Sequence, residues 1–266
     1  MSKILELKDI DYKTGKIKDS GRIEIKNQTE NSADLYFYGD IVSESWMSEW
    51  YEDDMCPADV KSFLDELENV NNINIHINSG GGSVFGGLAI YNQLKRYNAT
   101  ITTYIDGLAA SIASVIAMAG DKIVMPENAL LMIHKPITMC YGNADELQKH
   151  IDLLNTCQKS ILSIYMKKAK YGVTEDEINS LINEETWMTG TEVANYFNVE
   201  IEGSINVNNC TSSYFKQYNV PKNKAVRIDK NSNTAFFNAI NRSNKTNKLP
   251  IMDEATKIMI ERINKL

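Results

Sequence analysis

Histidine and cysteine are scarce in this chain, and their scarcity narrows its chemistry early. Four cysteines (Cys56, Cys140, Cys157 and Cys210) are scattered through 266 residues. They show neither metal-ligand spacing nor a disulfide framework, so free thiols in a reducing cytoplasm are expected, with no metal or other cofactor. Any mechanism that needs a histidine base must choose among His76, His134 and His150. No apolar run reaches the ~18 residues of a membrane-spanning helix, so no membrane partner is expected. Met1 to Glu6 carry Lys3 and lack the apolar core and cleavage site of a secretory leader. No internal repeat recurs at a fixed period.

Charge is plentiful but polarised. Asp and Glu outnumber Lys and Arg by 35 to 28 overall, yet from Ser204 to Leu266 there are eleven basic residues and four acidic ones. An acidic body is therefore followed by a basic tail, which fits either an interaction arm or a merely soluble extension. Twelve of the sixty-three residues from Ser204 onward are Asn, and apolar residues thin out until Ile251. That composition predicts a flexible linker over 204–250. Helical periodicity returns in 251–266, through Ile251, Ala255, Ile258, Met259, Ile263 and Leu266. This amphipathic helix could pack on the body or bind a partner. Nucleic acid is not expected there. The interleaved aromatic pattern of a stacking platform is lacking apart from Tyr214, Phe215, Tyr218, Phe236 and Phe237, which could equally be core.

Between a polar N-terminal segment (1–33, with one strand at Arg22 to Lys26) and Gly203, strands alternate with helices. Asp34 to Val42 reads as a strand interrupted by Gly39, and Ile73 to Asn78 (INIHIN) alternates strictly. Thr100 to Ile105, Lys122 to Met125 and Leu130 to Ile133 read as further strands. Helical spacing marks Ala58 to Val70, Leu88 to Leu94, Leu108 to Ala119 and a long helix over Ala144 to Lys170. The last carries Leu147, Ile151, Leu154, Ile161, Ile164 and Tyr165 on one stripe. Thr174 to Ile182 and Thr191 to Phe197 read as shorter helices opened by threonine. This order predicts an α/β domain with parallel pairing.

Three segments can carry chemistry. The INIHIN strand runs into Ser79-Gly80-Gly81-Gly82, where glycines free backbone amides to face a phosphate or an oxyanion. Neither a P-loop nor the G-x-G-x-x-G spacing is present, and loop glycines also simply turn a chain. In Asp106-Gly107-Leu108-Ala109-Ala110-Ser111, a serine stands at a strand-to-helix junction, where helix amides could support a nucleophile. It is not a G-x-S-x-G elbow, and Ala/Ser-rich helices also exist for close packing. In Leu131-Met132-Ile133-His134-Lys135-Pro136, the proline keeps Lys135 extended, so His134 ends a strand and faces a loop. His76 lies within a strand and His150 in mid-helix, which leaves His134 as the candidate base.

Taken in order, INSGGGSVFGGLAIY, GLAASIASVIAMAG and LMIHKP resemble the three signature blocks of the Clp protease proteolytic subunit (ClpP) family, over about Asp34 to Gly203. The lead-in IKNQTENSADLYFYGDI, the Trp46 insertion and the phrase EETWMTGTEVA look closer to the phage-encoded, ClpP-like head maturation proteases. The resemblance implies the ClpP/crotonase-like superhelix of β-β-α units with a protruding handle helix. It also implies a serine endopeptidase in which Ser111 is the nucleophile and His134 the base. The backbone amides of Gly82 and Ile112 would form the oxyanion hole. Where the family carries an acid aspartate, this chain has Glu185, with Glu184 and a two-residue unit as the alternatives. Where the family continues His-x-Pro with two glycines, Ile137 to Gly142 stand instead. Asn198 replaces a helix-ending glycine and could adopt its left-handed cap.

The expected protein is thus a ClpP-like peptidase domain over 34–203 with an appendage, assembled as a homo-oligomeric ring. Its substrates would be capsid or scaffold proteins processed during phage head maturation, in a bacterial cytoplasm or on procapsids. The alternatives are a housekeeping Clp peptidase working with an ATPase unfoldase, a crotonase-like acyl-CoA enzyme, and a catalytically silent ring protein. An ATPase partner is weakly supported, because no axial-loop segment is recognisable in Met1 to Glu30.

Overall fold

The computed structural model describes residues 3–10, 17–29, 31–43, 55–67, 70–203 and 218, those before residue 31 by their backbone alone. Its elements in chain order are β1 (Lys3–Ile10), β2 (Ile17–Thr29), β3 (Ser32–Phe37), α1 (Pro57–Glu66), β4 (Asn72–Ser79), α2 (Val84–Arg96), β5 (Thr100–Ala110) and α3 (Ile112–Ala117). They continue with β6 (Lys122–Pro126), β7 (Leu130–Ile133), α4 (Ala144–Met166), α5 (Glu175–Asn183), β8 (Thr186–Thr189), α6 (Gly190–Tyr196) and β9 (Glu200–Glu202).

The strict alternation in INIHIN has its expected meaning. Ile73, Ile75 and Ile77 are fully buried, whereas Asn74 and His76 between them stay partly exposed on the other face. Each such isoleucine contributes about 1.5–3 kcal/mol by leaving water. Strands β3, β4, β5, β6 and β9 lie side by side and parallel, and β1 and β2 extend the sheet in antiparallel fashion beyond β3. The α/β architecture with mostly parallel pairing is therefore as expected. Residues 44–54, with Trp46, lie outside the described residues, as do 204–217 and 219–266, which hold most of the expected linker and all of the terminal helix.

One difference shapes the site. Leu108 to Ala110, expected to begin a helix, complete strand β5 instead, and α3 is confined to Ile112–Ala117. The cause is tertiary: β5 pairs with β6 through Thr102 to Tyr104, then with β7 through Leu108, Ala109 and Ala110. Pairing with Leu130, Leu131 and Met132 overrides the helical preference of the two alanines.

Other boundaries moved for local reasons. Strand β3 stops at Phe37, short of Gly39, and α1 stops at Glu66. Helix α2 starts at Val84, because the Ser83 hydroxyl accepts from the Gly86 amide at 3.1 Å and caps it within the glycine run. Helix α6 is opened by Thr189, not Thr191: the Glu192 carboxylate accepts from the Thr189 amide at 2.8 Å. Asn198 does not take the left-handed cap. The preceding Phe197 is extended, and the Asn198 side-chain amide donates to the Ala169 carbonyl at 3.0 Å. On α4 the expected apolar stripe is buried from Cys157 onward, at Ile161, Ile164 and Tyr165, while Leu147 and Ile151 remain exposed. No helix among the described residues is long and apolar enough to cross a membrane.

Candidate active site

Strand register brings the candidate residues together. Ala110 on β5 lies opposite Met132 on β7, so Ser111 and His134 leave adjacent parallel strands at the same end of the sheet. The Ser111 amide donates to the Met132 carbonyl at 2.9 Å, which fixes the turn against β7. Strand β8 runs antiparallel to β7 with Thr186 opposite Ile133, so Glu185 emerges beside His134. Three consecutive neighbours in the sheet thus deliver a hydroxyl, an imidazole and a carboxylate to one place.

Ser111 Oγ and His134 Nε2 lie 2.7 Å apart, within hydrogen-bond reach. Ser111 has φ 54° and ψ −128°, a left-handed backbone that a serine adopts only under constraint. The constraint is visible. Besides its amide bond to β7, its carbonyl accepts from the Ser114 hydroxyl at 2.5 Å and from the Ser114 amide at 3.0 Å. Helix α3 behind it is buried throughout.

The glycine run lies directly against this turn. Gly81 (φ 96°) and Gly82 (φ 143°) both have backbones that disfavour side chains. A Cβ on Gly81 would lie 2.7 Å from the Ser111 Cβ, and one on Gly82 would lie 2.1 Å from the Ile41 carbonyl oxygen. The amides flanking Gly82 are committed: Gly81 donates to Ser79 Oγ at 3.2 Å and Ser83 to the Ile41 carbonyl at 2.7 Å. A shallow cleft opens beside the pair, walled by Val84, Val115, Ile161 and Tyr165.

Burial pushes the His134 imidazole below the ordinary histidine value, and the negative charge of Glu185 opposes that shift. Glu185 itself is half-buried with φ 50°, and its Oε1 accepts from the Trp187 indole N–H at 3.4 Å. Glu184, the alternative acid, is exposed at the C-cap of α5. The other histidines have different surroundings. His76 is stacked between Tyr36 and Tyr104, with centroids 4.6 and 5.0 Å away, and its Nδ1 lies 2.9 Å from Asp106 Oδ2. His150 lies on α4 and does not line the cleft.

One neighbour, Tyr218, belongs to the aromatics that could equally be core by sequence, but its place beside the site was not indicated there. Tyr218 is buried; its ring meets that of His134 at 79° with centroids 5.3 Å apart, and it approaches Trp187 at 6.2 Å. Its hydroxyl donates to the Gly80 carbonyl at 2.6 Å. The available signal was an aromatic residue in an otherwise polar, Asn-rich stretch, and composition alone could not say what it packs on.

A serine–histidine pair beside a glycine loop on a mixed α/β fold is an arrangement capable of nucleophilic hydrolysis. Comparison with known proteins narrows this further. The family model described as Clp protease matches residues 54–199. The ATP-dependent Clp protease proteolytic subunit of Ligilactobacillus salivarius is 33% identical over 181 residues, covering 65% of this chain and 89% of that protein. The subunit of the same name from Bacteroides fragilis is 31% identical over 137 residues, covering 50% of this chain and 65% of its own length. The proteolytic subunit 1 of Chlamydia abortus is 34% identical over 128 residues, with shares of 45% and 64%. The chain belongs to the Clp protease family. It is a Clp-type serine endopeptidase, a hydrolase of peptide bonds.

Proposed function

We propose that Ser111 and His134 carry the peptidase reaction, and the observation that bears most weight is their 2.7 Å separation. Ser111 Oγ attacks the scissile carbonyl carbon while His134 Nε2 takes its proton. As the tetrahedral intermediate collapses, the C–N bond breaks and Nε2 returns the proton to the departing amine. Water then hydrolyses the Ser111 ester by the same proton path. The Gly82 and Ile112 amides hold the oxyanion, a reading supported by the commitment of both amides that flank Gly82. Glu185 supports the imidazolium that forms, and its proximity favours the charged ring. The apolar walls of the cleft suit a small apolar side chain next to the scissile bond.

The assembly read for this chain is a homo-oligomeric ring. Exposed apolar residues at Ile137, Met139, Tyr141, Leu147, Ile151 and Leu153 support it, since a lone chain leaves this surface in water. For the physiological role we propose processing of phage capsid or scaffold proteins. Support comes from the segments EETWMTGTEVA and IKNQTENSADLYFYGDI and from the long basic extension after Gly203. A second reading, a peptidase working with an ATPase unfoldase, is favoured by the names of the relatives.

Digestion of an unfolded protein, with and without a Clp ATPase and ATP, separates the two. Cleavage that needs Ser111 but no ATPase supports independent processing, and cleavage only with the ATPase supports the second reading. Cleavage that persists in Ser111→Ala contradicts the assignment of the nucleophile.

A further inference from the structure

Tyr218 lies well past residue 199, where the match to the family ends, yet it touches both halves of the catalytic machinery. We propose that Tyr218 is a positioning residue of the active site: its ring braces His134 and its hydroxyl anchors the glycine loop, so a residue from beyond the family match completes the catalytic centre. The inference rests on the reading of Ser111 and His134 given above.

The ring and the hydroxyl have separable tasks. The ring belongs to a small buried cluster with Leu108, Ala110, Leu130, Met132 and Trp187. These come from β5, β7 and β8, the strands that deliver Ser111, His134 and Glu185. Crossing the imidazole at 79°, the tyrosine ring limits its rotation and keeps water from one side. The groups facing His134 among the described residues are few. Glu185 comes from the β8 side, Ser111 from the β5–α3 turn and Tyr165 from α4, and α2 presents only the apolar Val84. Among the described residues Glu185 is the charge that acts on the imidazole, and Tyr218 adds to the burial that opposes protonation.

The hydroxyl acts on the loop. Ile41 and Ser79 hold it at Gly81 and Ser83, through Ile41 N–H to the Gly81 carbonyl at 2.8 Å, Gly81 to Ser79 Oγ and Ser83 to Ile41. The buried Gly80 carbonyl, one residue earlier, accepts a hydrogen bond from the Tyr218 hydroxyl. Glycines have no side chains to fix their backbone, so the position of the Gly82 amide depends on such bonds.

Full-length wild type, Tyr218→Phe and Tyr218→Ala are compared by two measurements. NMR titration of the histidine rings, with His134→Ala for assignment, reads the imidazole directly and needs no activity. The rate of fluorophosphonate labelling against pH reads the assembled site. Tyr218→Ala is expected to raise the His134 pKa toward the ordinary ~6.5 and to slow labelling roughly tenfold or more. Tyr218→Phe is expected to leave the pKa in place and slow labelling several-fold. A wild-type titration and rate in Tyr218→Ala overturns the proposal. If that chain does not fold, Tyr218→Phe decides alone, and a wild-type rate there overturns it. Labelling away from Ser111 in the wild type instead defeats the underlying site reading, while the titration still tests the Tyr218 contact.

Discussion

The buried Tyr165 hydroxyl lies 2.7 Å from Ser114 Oγ, and Tyr165 must be the donor, because Ser114 already gives its proton to the Ser111 carbonyl. A relay therefore runs from α4 through α3 to the strained serine. Tyr165→Phe leaves Ser114 Oγ without this donor and is expected to lower stability by about 1 kcal/mol. Labelling of Ser111 should slow only several-fold. Thermal unfolding checks the first effect and single-turnover labelling the second.

Gly81 and Ser111 stand back to back. In Gly81→Ala the new methyl group meets the Ser111 Cβ at 2.7 Å and sits on a backbone with φ 96°. The strain amounts to about 1–3 kcal/mol, and relief requires moving Ser111. The expected outcome is a folded protein with a lowered melting temperature and labelling reduced by about 10²-fold or more.

The pH profile follows from His134. Burial holds its pKa down, so the neutral ring, the form proposed to accept the Ser111 proton, persists below the ordinary value of ~6.5. The acid limb of activity should therefore lie below that value. Glu185 raises this pKa, so Glu185→Gln should move the limb to still lower pH, while reducing the rate at the plateau because the imidazolium loses its counter-charge. A limb that moves upward in Glu185→Gln would contradict the electrostatic role. Stability should also fall as pH drops from ~6.5 through the depressed pKa, since the unfolded chain binds the proton first.

Asp106 organises a different cluster. It accepts from the Tyr38 hydroxyl at 2.6 Å and pairs with His76 at 2.9 Å, on the sheet face opposite the isoleucines. Burial and this bond push the Tyr38 phenol far above its usual range. Asp106→Ala should cost about 1–2 kcal/mol of stability and leave Ser111 labelling within a few-fold of wild type. His76→Asn should likewise keep activity, which separates it from His134→Ala.

Much of this was legible beforehand, for physical reasons. INIHIN announces a half-buried strand because its period is two, and the isoleucines are indeed the buried set. Ser111, His134 and the glycine loop each stand where a strand gives way to a turn, which made them candidates; only their order as three blocks, through the family resemblance, made the reading specific. What stayed hidden is what distant segments decide. Leu108 to Ala110 read as helix because their own preference is helical, and only β7 makes them a strand. Strand β8 was invisible because four residues carry no period of their own. Tyr218 could not be placed because its partners, His134 and Gly80, are remote in sequence.

Ser111, activated by His134, is the proposed nucleophile of this Clp-family peptidase. The most direct test of that role is a fluorophosphonate adduct mapped by mass spectrometry in wild type, Ser111→Ala and His134→Ala. A single adduct on Ser111 is predicted, abolished by the first substitution and slowed by orders of magnitude, about 10³-fold or more, by the second. An adduct on another residue, or none on folded and assembled wild-type protein, would rule out Ser111 as the nucleophile.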